Sequence, residues 1–122
     1  MEVPLRYTTR PGCAHMPGAN TNVDGIPTRK VLCGMMSAVD DSVKNLTAYY
    51  KSVSGLWEQT LIIFSTDNGG NTDTGGSNWP LRGNKATTFE GGIRGVGWVG
   101  GGWRGVAGQK RVSMAMIHVS DW

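Results

Sequence analysis

Several features are scarce in this sequence, and each shortage closes a class of protein. It has two cysteines, too few for a disulfide framework or for a metal site built from cysteine alone. Its uninterrupted apolar runs are only a few residues long, whereas a membrane-spanning helix needs about 20. The opening stretch Met1-Glu2-Val3-Pro4-Leu5-Arg6 has no apolar core of the kind a secretory signal carries. Charge of one sign is scarce too. The formal net charge is +3, with the Lys and Arg residues scattered, so nucleic acid is not an expected partner. At 122 residues the chain holds at most one ordinary domain. With 39% apolar and 17% charged residues it is neither a disordered chain nor a membrane protein.

Glycine is in excess, at 19 residues, most of them after Phe64. That is about twice ordinary usage. The spacing is irregular, which excludes a collagen period. A glycine-rich half with few helical stretches points to tight loops around a site, or to a piece of a larger fold.

Along the chain, residues 1–30 read as loop with no core element, because Pro4, Pro11, Pro17 and Pro27 interrupt every periodic stretch and 20–25 is turn chemistry. The spacing predicts a helix over residues 31–53. Leu32, Met35 or Met36, Val39, Val43, Leu46, Tyr50 and Val53 recur at steps of three and four, and Gly55 is placed to end it. Thr60-Leu61-Ile62-Ile63-Phe64-Ser65-Thr66 is a β-branched apolar run that reads as a strand buried on both faces. A helix followed by such a strand is half of a parallel α/β unit. Further strands are expected at 93–99, broken by the glycines at 100–102, and at 112–119. Ser120-Asp121 reads as a helix N-cap just before the last residue, which suggests truncation.

Chemistry in open parallel sheets gathers beyond the carboxyl ends of strands, which is where Asp67 and Asn68 stand. A carboxylate beside an amide oxygen suits a hard cation, and the same Asp-Asn-Gly sequence also makes an ordinary turn. Asp40 and Asp41 point about 100° apart on a helix, so they read as a solvated face and not a metal pair. Gly95 to Gly100 fits the spacing of a dinucleotide fingerprint, but no helix is expected after it to receive a pyrophosphate, so a nucleotide cofactor is rejected. His15 and His118 are not expected to pair. Lys85 offers a compact positive charge for an anion. Asn45-Leu46-Thr47 fits a glycosylation sequon on the helix.

In order along the chain stand Leu61-Ile62-Ile63-Phe64-Ser65-Thr66-Asp67-Asn68-Gly69-Gly70, Asn78-Trp79-Pro80-Leu81-Arg82-Gly83-Asn84-Lys85, Phe89-Glu90-Gly91-Gly92-Ile93-Arg94-Gly95 and Ile117-His118-Val119-Ser120-Asp121-Trp122. Together these segments resemble the sulfatase family, most closely its arylsulfatase B type, over residues 31–122. Residues 1–30 match loosely, through Val3-Pro4-Leu5.

The resemblance implies an α/β fold, a fragment of an alkaline-phosphatase-like sulfatase domain. Residues 31–122 would be part of that domain, incomplete at both ends, behind a loop-rich segment 1–30. It implies a sulfuric ester hydrolase of arylsulfatase type that uses Ca²⁺, acts on a sulfated small molecule or glycan, and resides in lysosomal or secretory space. It assigns Asp67 and Asn68 to the metal, Lys85 to the substrate sulfate, and Glu90 and Arg94 to holding the site loops. The family's nucleophile is a formylglycine made from cysteine in a Cys-x-Pro-Ser-Arg or Cys-x-Ala-x-Arg motif. Neither Cys13 (followed by Ala14-His15-Met16-Pro17) nor Cys33 (followed by Gly34-Met35-Met36-Ser37) fits. The paired aspartates of the family's first strand are absent, and Glu2 stands where the His-x-Pro-Leu histidine would fall. The isolated chain is therefore expected to be inactive, and the alternative is a degenerate, non-catalytic sulfatase-like protein.

Overall fold

The computed structural model describes residues 3–18, 20–22 and 25–121, and of Val119 only the backbone. Glu2, Val23, Asp24 and Trp122, all used in the sequence reading, lie outside the described residues.

The chain forms a helical piece and a two-stranded sheet. Two short helices, α1 (Leu5–Thr8) and α2 (Pro11–Ala14), precede the long α3 (Thr28–Ser52). This corrects the expectation of loop across residues 1–30. Pro11 begins α2 instead of interrupting a helix. At the first helical position proline's missing N–H is not needed, and its fixed φ is already helical. Before α3 the chain turns through an isolated bridge between Thr21 and Pro27, and Asn22 Oδ1 accepts from the Ile26 amide at 2.9 Å.

The most deeply buried side chains sit in this helical piece. Thr8, Cys13 and Val31 are each 1% exposed, and Thr8 Oγ1 donates to the Leu5 carbonyl at 2.9 Å, so the buried hydroxyl is satisfied. Gly34 lets α1 approach α3, since a Cβ there would lie 3.1 Å from Val3 Cγ1 and 3.3 Å from Thr8. Cys13 and Cys33 are joined in a disulfide that ties α2 to α3. Arg10, just before α2, reaches Asp41 on α3 at 2.5 Å.

α3 matches the expected helix and starts three residues earlier, at Thr28. Its predicted apolar stripe is only partly covered: Met36, Val39, Leu46 and Val53 are exposed, while Val31 and Gly34 make the buried contact. The helix ends at Ser52, with Val53 already extended, and Gly55 takes the left-handed conformation (φ 74°) two residues beyond that cap.

β1 (Leu61–Ser65) lies within the predicted strand. Its partner is β2 (Gly97–Gly101), and the pairing is antiparallel, with Leu61 opposite Gly101 and Ser65 opposite Gly97. The parallel α/β unit is therefore not formed among the described residues. α3 packs on α1, α2 and the 3-10 turns Trp57–Gln59 and Thr72–Thr74. Nor is β1 buried on both faces: Leu61 and Ile63 are exposed, and Ile62 and Phe64 are half-buried. Phe64 stacks on its cross-strand neighbour Trp98 with ring centroids 5.5 Å apart. Two further expectations are corrected. Gly100 and Gly101 continue β2 instead of breaking it, because their backbones complete the ladder to Ile62 and Leu61. Residues 112–118 form no strand; Val112 and Met116 are nearly fully exposed and have no ladder partner. Asp121 lies in a 3-10 turn and its Oδ2 accepts from the His118 amide at 2.6 Å. No described helix is long and apolar enough to cross a membrane.

Candidate functional site

The connection between β1 and β2 begins and ends at one narrow neck. The Thr66 amide donates to the Val96 carbonyl at 2.9 Å, and the Val96 amide donates to Thr66 Oγ1 at 2.9 Å. Everything the sequence singles out for metal and anion chemistry lies between these two residues.

Asp67 and Asn68 follow the neck directly, just past the carboxyl end of β1. Asp67 is exposed and its carboxylate has no partner among the described residues. Asn68 is half-buried; its Nδ2 donates to the Gly69 carbonyl at 2.7 Å, which leaves Oδ1 as the acceptor end of the side chain.

The glycines next to them set how closely the loops can meet. Gly69 donates its amide to the Gly92 carbonyl at 2.9 Å. A Cβ on Gly69 would stand 1.8 Å from the Gly91 carbonyl oxygen, and a Cβ on Gly91 would stand 2.3 Å from that of Gly83. Backbone is packed on backbone here, which only glycine permits.

Gly70 is where the loops converge. Its amide donates to Asn78 Oδ1 at 2.7 Å, and its carbonyl accepts from Asn78 Nδ2 at 2.8 Å. The same carbonyl accepts from the Lys85 amide at 3.1 Å. Asn78 Nδ2 also reaches the Gly83 carbonyl at 3.1 Å. One amide side chain thus ties together three loop positions. The backbone of Lys85 is held two residues from Asn68 by that bond, and its side chain is exposed. Farther out, Thr87 Oγ1 donates to the Asn84 carbonyl at 2.8 Å, and Arg82 lies over the Phe89 ring at 4.0 Å.

The structure thus brings Asp67, Asn68 and the Lys85 backbone into one loop cluster. Glu90 and Arg94 are not what holds it. Both are exposed and their side chains pair with nothing among the described residues. The holding contacts come from Gly91 and Gly92, which stand between them on the short helix α4 (Glu90–Ile93). Asn78 is the residue that reading by chemistry misses. Its signal is an amide between glycine-rich turns, the kind of side chain that bonds nearby backbone.

The other candidates lie elsewhere. Asp40 and Asp41 are on α3, with Asp40 exposed. The hydrogen bond from Arg10 holds the Asp41 carboxyl below the usual carboxylate range. His15 caps the end of α2, whereas His118 Nδ1 lies 2.8 Å from Ser120 Oγ. Asn45 is exposed on α3.

No family model matches the chain. Over 94 residues it is 40% identical to Arylsulfatase J of Mus musculus, an alignment covering 77% of this chain and 15% of that protein. Over 89 residues it is 33% identical to N-acetylgalactosamine-6-sulfatase of Mus musculus, covering 68% of this chain and 16% of that protein. The crystal structure of Ps i-CgsB in complex with k-i-k-neocarrahexaose superposes with a TM-score of 0.63 at 30% identity, covering 84% of this chain and 20% of that one. The chain therefore spans about 15–16% of the length of the curated relatives it matches. With its helices, its two-stranded sheet, the ordered motifs around Asp67, Asn78 and Lys85, and two curated sulfatases as relatives, the chain belongs to the sulfatase family.

Proposed function

We propose that this chain carries part of the metal and sulfate site of an arylsulfatase-type sulfuric ester hydrolase with an alkaline-phosphatase-like fold. In this reading residues 31–122 are part of the sulfatase domain. Asp67 and Asn68 face a divalent cation, and Lys85 faces the sulfate of a sulfated small molecule or glycan. The observation that carries the reading is the shared bonding of Gly70, which keeps Asn78 and Lys85 beside the end of β1. A lysine aimed at an anion offsets charge that builds during ester cleavage, and it does so most strongly where water is excluded. Glycine at positions 69 and 70 leaves the backbone open to a close anion.

The donor set is of the right kind for Ca²⁺ and too small for it. Ca²⁺ takes about 6–8 oxygen ligands. Among the described residues no group of three or more His, Cys, Asp or Glu gathers to hold a metal ion. This chain's own residues bind and orient; they do not supply an attacking group. Neither cysteine stands in the formylglycine motif, and both sulfurs are committed to the Cys13–Cys33 disulfide. That disulfide favours a second reading, a sulfatase-like chain without catalysis of its own. It also fits an oxidising compartment, as lysosomal or secretory space would provide. In that setting Asn45 is the proposed glycan acceptor, tested by a mass shift on enzymatic deglycosylation.

The main test has two arms. The purified chain, given Ca²⁺ and a formylglycine-generating enzyme, is expected not to hydrolyse a chromogenic aryl sulfate; turnover that vanishes with Lys85→Ala would refute this. In Arylsulfatase J carrying this chain's matched segment, hydrolysis is expected to persist and to fall by about 10²-fold or more with Lys85→Ala. An unchanged rate in that variant would remove the sulfate role.

A further inference from the structure

The start of α3 is weak by its own sequence. Among the described residues its N-cap, Pro27, makes no side-chain cap bond and the first turn holds no acidic residue. Arg29 and Lys30 instead place cations at the end of the helix that favours anions. Its support comes from the chain before it. The Thr28 amide donates to the Asn20 carbonyl at 2.8 Å, Thr21 bridges to Pro27, and Cys33, one turn beyond Arg29, is joined to Cys13. The disulfide therefore closes a ring that contains the approach to the helix together with its first turn.

That first turn is also the seat of the site loop. Gly75 ends the 3-10 turn Thr72–Thr74 in the left-handed conformation (φ 92°), and a Cβ on it would stand 2.7 Å from both the amide nitrogen and the Cα of Arg29. Backbone rests on backbone, so the seat exists only while Thr28 and Arg29 hold their places. The loop carries the contact onward. Thr72 Oγ1 accepts from Asn84 Nδ2 at 3.0 Å, and Lys85 follows, its amide bonded to the Gly70 carbonyl at 3.1 Å.

We propose that the Cys13–Cys33 disulfide is a redox-sensitive support for the Asn84–Lys85 end of the site loop, acting through the first turn of α3. A dithiol reductant releases it. Cys13 is 1% exposed and Cys33 half-buried, so a thiolate of the reductant attacks the Cys33 sulfur. The S–S bond breaks, and Cys13 leaves as a thiolate and takes a proton. The reductant's second thiol then displaces Cys33 as a thiol and closes a cyclic disulfide. Two electrons and two protons pass from reductant to protein. The Arg10–Asp41 pair keeps the start of α2 on α3. The stretch set loose is therefore the approach to α3, and the uncapped first turn frays beneath Gly75. This holds whether or not Lys85 binds sulfate, so the sulfate role stands or falls separately.

The test follows amide exchange by NMR in the full 122-residue chain, oxidised and then reduced with dithiothreitol, without denaturant. The reporters are the amides of Lys85 and of Gly76, the latter bonded to the Asn71 carbonyl at 2.8 Å. The references are the Thr66 and Trp103 amides at the two ends of the sheet, bonded to the Val96 and Thr60 carbonyls. Reduction is expected to speed exchange at Gly76 and Lys85 by about tenfold and to leave Thr66 and Trp103 unchanged. Arg29→Glu, which gives the first turn a carboxylate, is expected to bring the reduced chain back toward the oxidised rates. Gly75→Ala is expected to raise the Lys85 rate in the oxidised chain, with reduction adding little more. Equal rates at Gly76 and Lys85 before and after reduction overturn the proposal. An equal rise at all four amides overturns it too, because the disulfide then stabilises the chain as a whole and not this loop. If Lys85 in Gly75→Ala still responds fully to reduction, the route through α3 is wrong and the proposal falls.

Discussion

Replacing Cys13 and Cys33 together by serine removes the link between α2 and α3 and returns chain entropy to the unfolded state. The two residues are 20 apart in sequence. In the chain-entropy description, closing a loop of that size stabilises the folded state by about 3 kcal/mol. Burial of Cys13 at 1% exposure adds to this, because serine would carry a hydroxyl into the packing between the helices. So large a share should be plain in a helical piece whose nearly inaccessible side chains are Thr8, Cys13 and Val31. The assay is urea unfolding of the oxidised chain and the double variant, followed by far-ultraviolet circular dichroism, which α3 dominates. For a slope near 1.5 kcal/mol per M, the midpoint should drop by about 2 M. Reduction of the wild-type chain should move the midpoint in the same direction. Equal midpoints, or two alkylatable thiols in the non-reduced native chain, would refute the reasoning.

Gly69→Ala should destabilise the loop cluster by about 1–3 kcal/mol, because its Cβ would stand 1.8 Å from the Gly91 carbonyl oxygen; Gly12→Ala, with nothing within 4 Å, should be neutral or stabilising in the same unfolding assay. Asn78→Ala removes a side chain bonded to both Gly70 and Gly83 and should lower stability by about 1–3 kcal/mol. Asn78→Asp keeps an acceptor for the Gly70 amide and loses the donors, so amide exchange should rise at Lys85 while the Gly70 amide stays protected. Asp41 has a depressed folded pKa. The stabilisation from its pair with Arg10 is therefore fully present above the ordinary carboxylate value of about 3.9 and is lost as pH falls through the depressed value. Acid titration of the helical signal should show that loss in the wild-type chain and not in Asp41→Asn.

α3 and β1 were legible because their patterns are local: a three-four repeat in one and a β-branched run in the other. The segment before α3 is not legible in the same way, because proline has two meanings, and at Pro11 it starts a helix. The pattern puts β2 a few residues early because glycine usually ends strands. Here Gly100 and Gly101 are held by the ladder to Ile62 and Leu61, which only the paired strand reveals. The direction of that pairing was not legible either, since periodicity carries no information about which strand lies alongside. At the site, Asp67, Asn68 and Lys85 stood out as residue types that carry chemistry. Asn78 did not, because its importance comes from its distance to Gly70 and Gly83, a property of the folded loop. The disulfide is the same kind of fact: two cysteines 20 apart acquire a reason to meet only when α2 lies on α3.

The neck at Thr66 and Val96 has a consequence for how the molecule can change. Two residues separated by 30 in sequence are bonded to each other at the foot of the sheet. The closure entropy of the intervening segment grows only with the logarithm of its length, so each doubling adds about 0.6 kcal/mol. A change of length at an exposed point of the segment therefore alters the cost of closing it little. The neck acts as a clip at the foot of the sheet, and what constrains positions 67–95 is their own packing: the backbone contacts of Gly69, Gly83 and Gly91, the bonds of Asn78, and the turn that rests on α3.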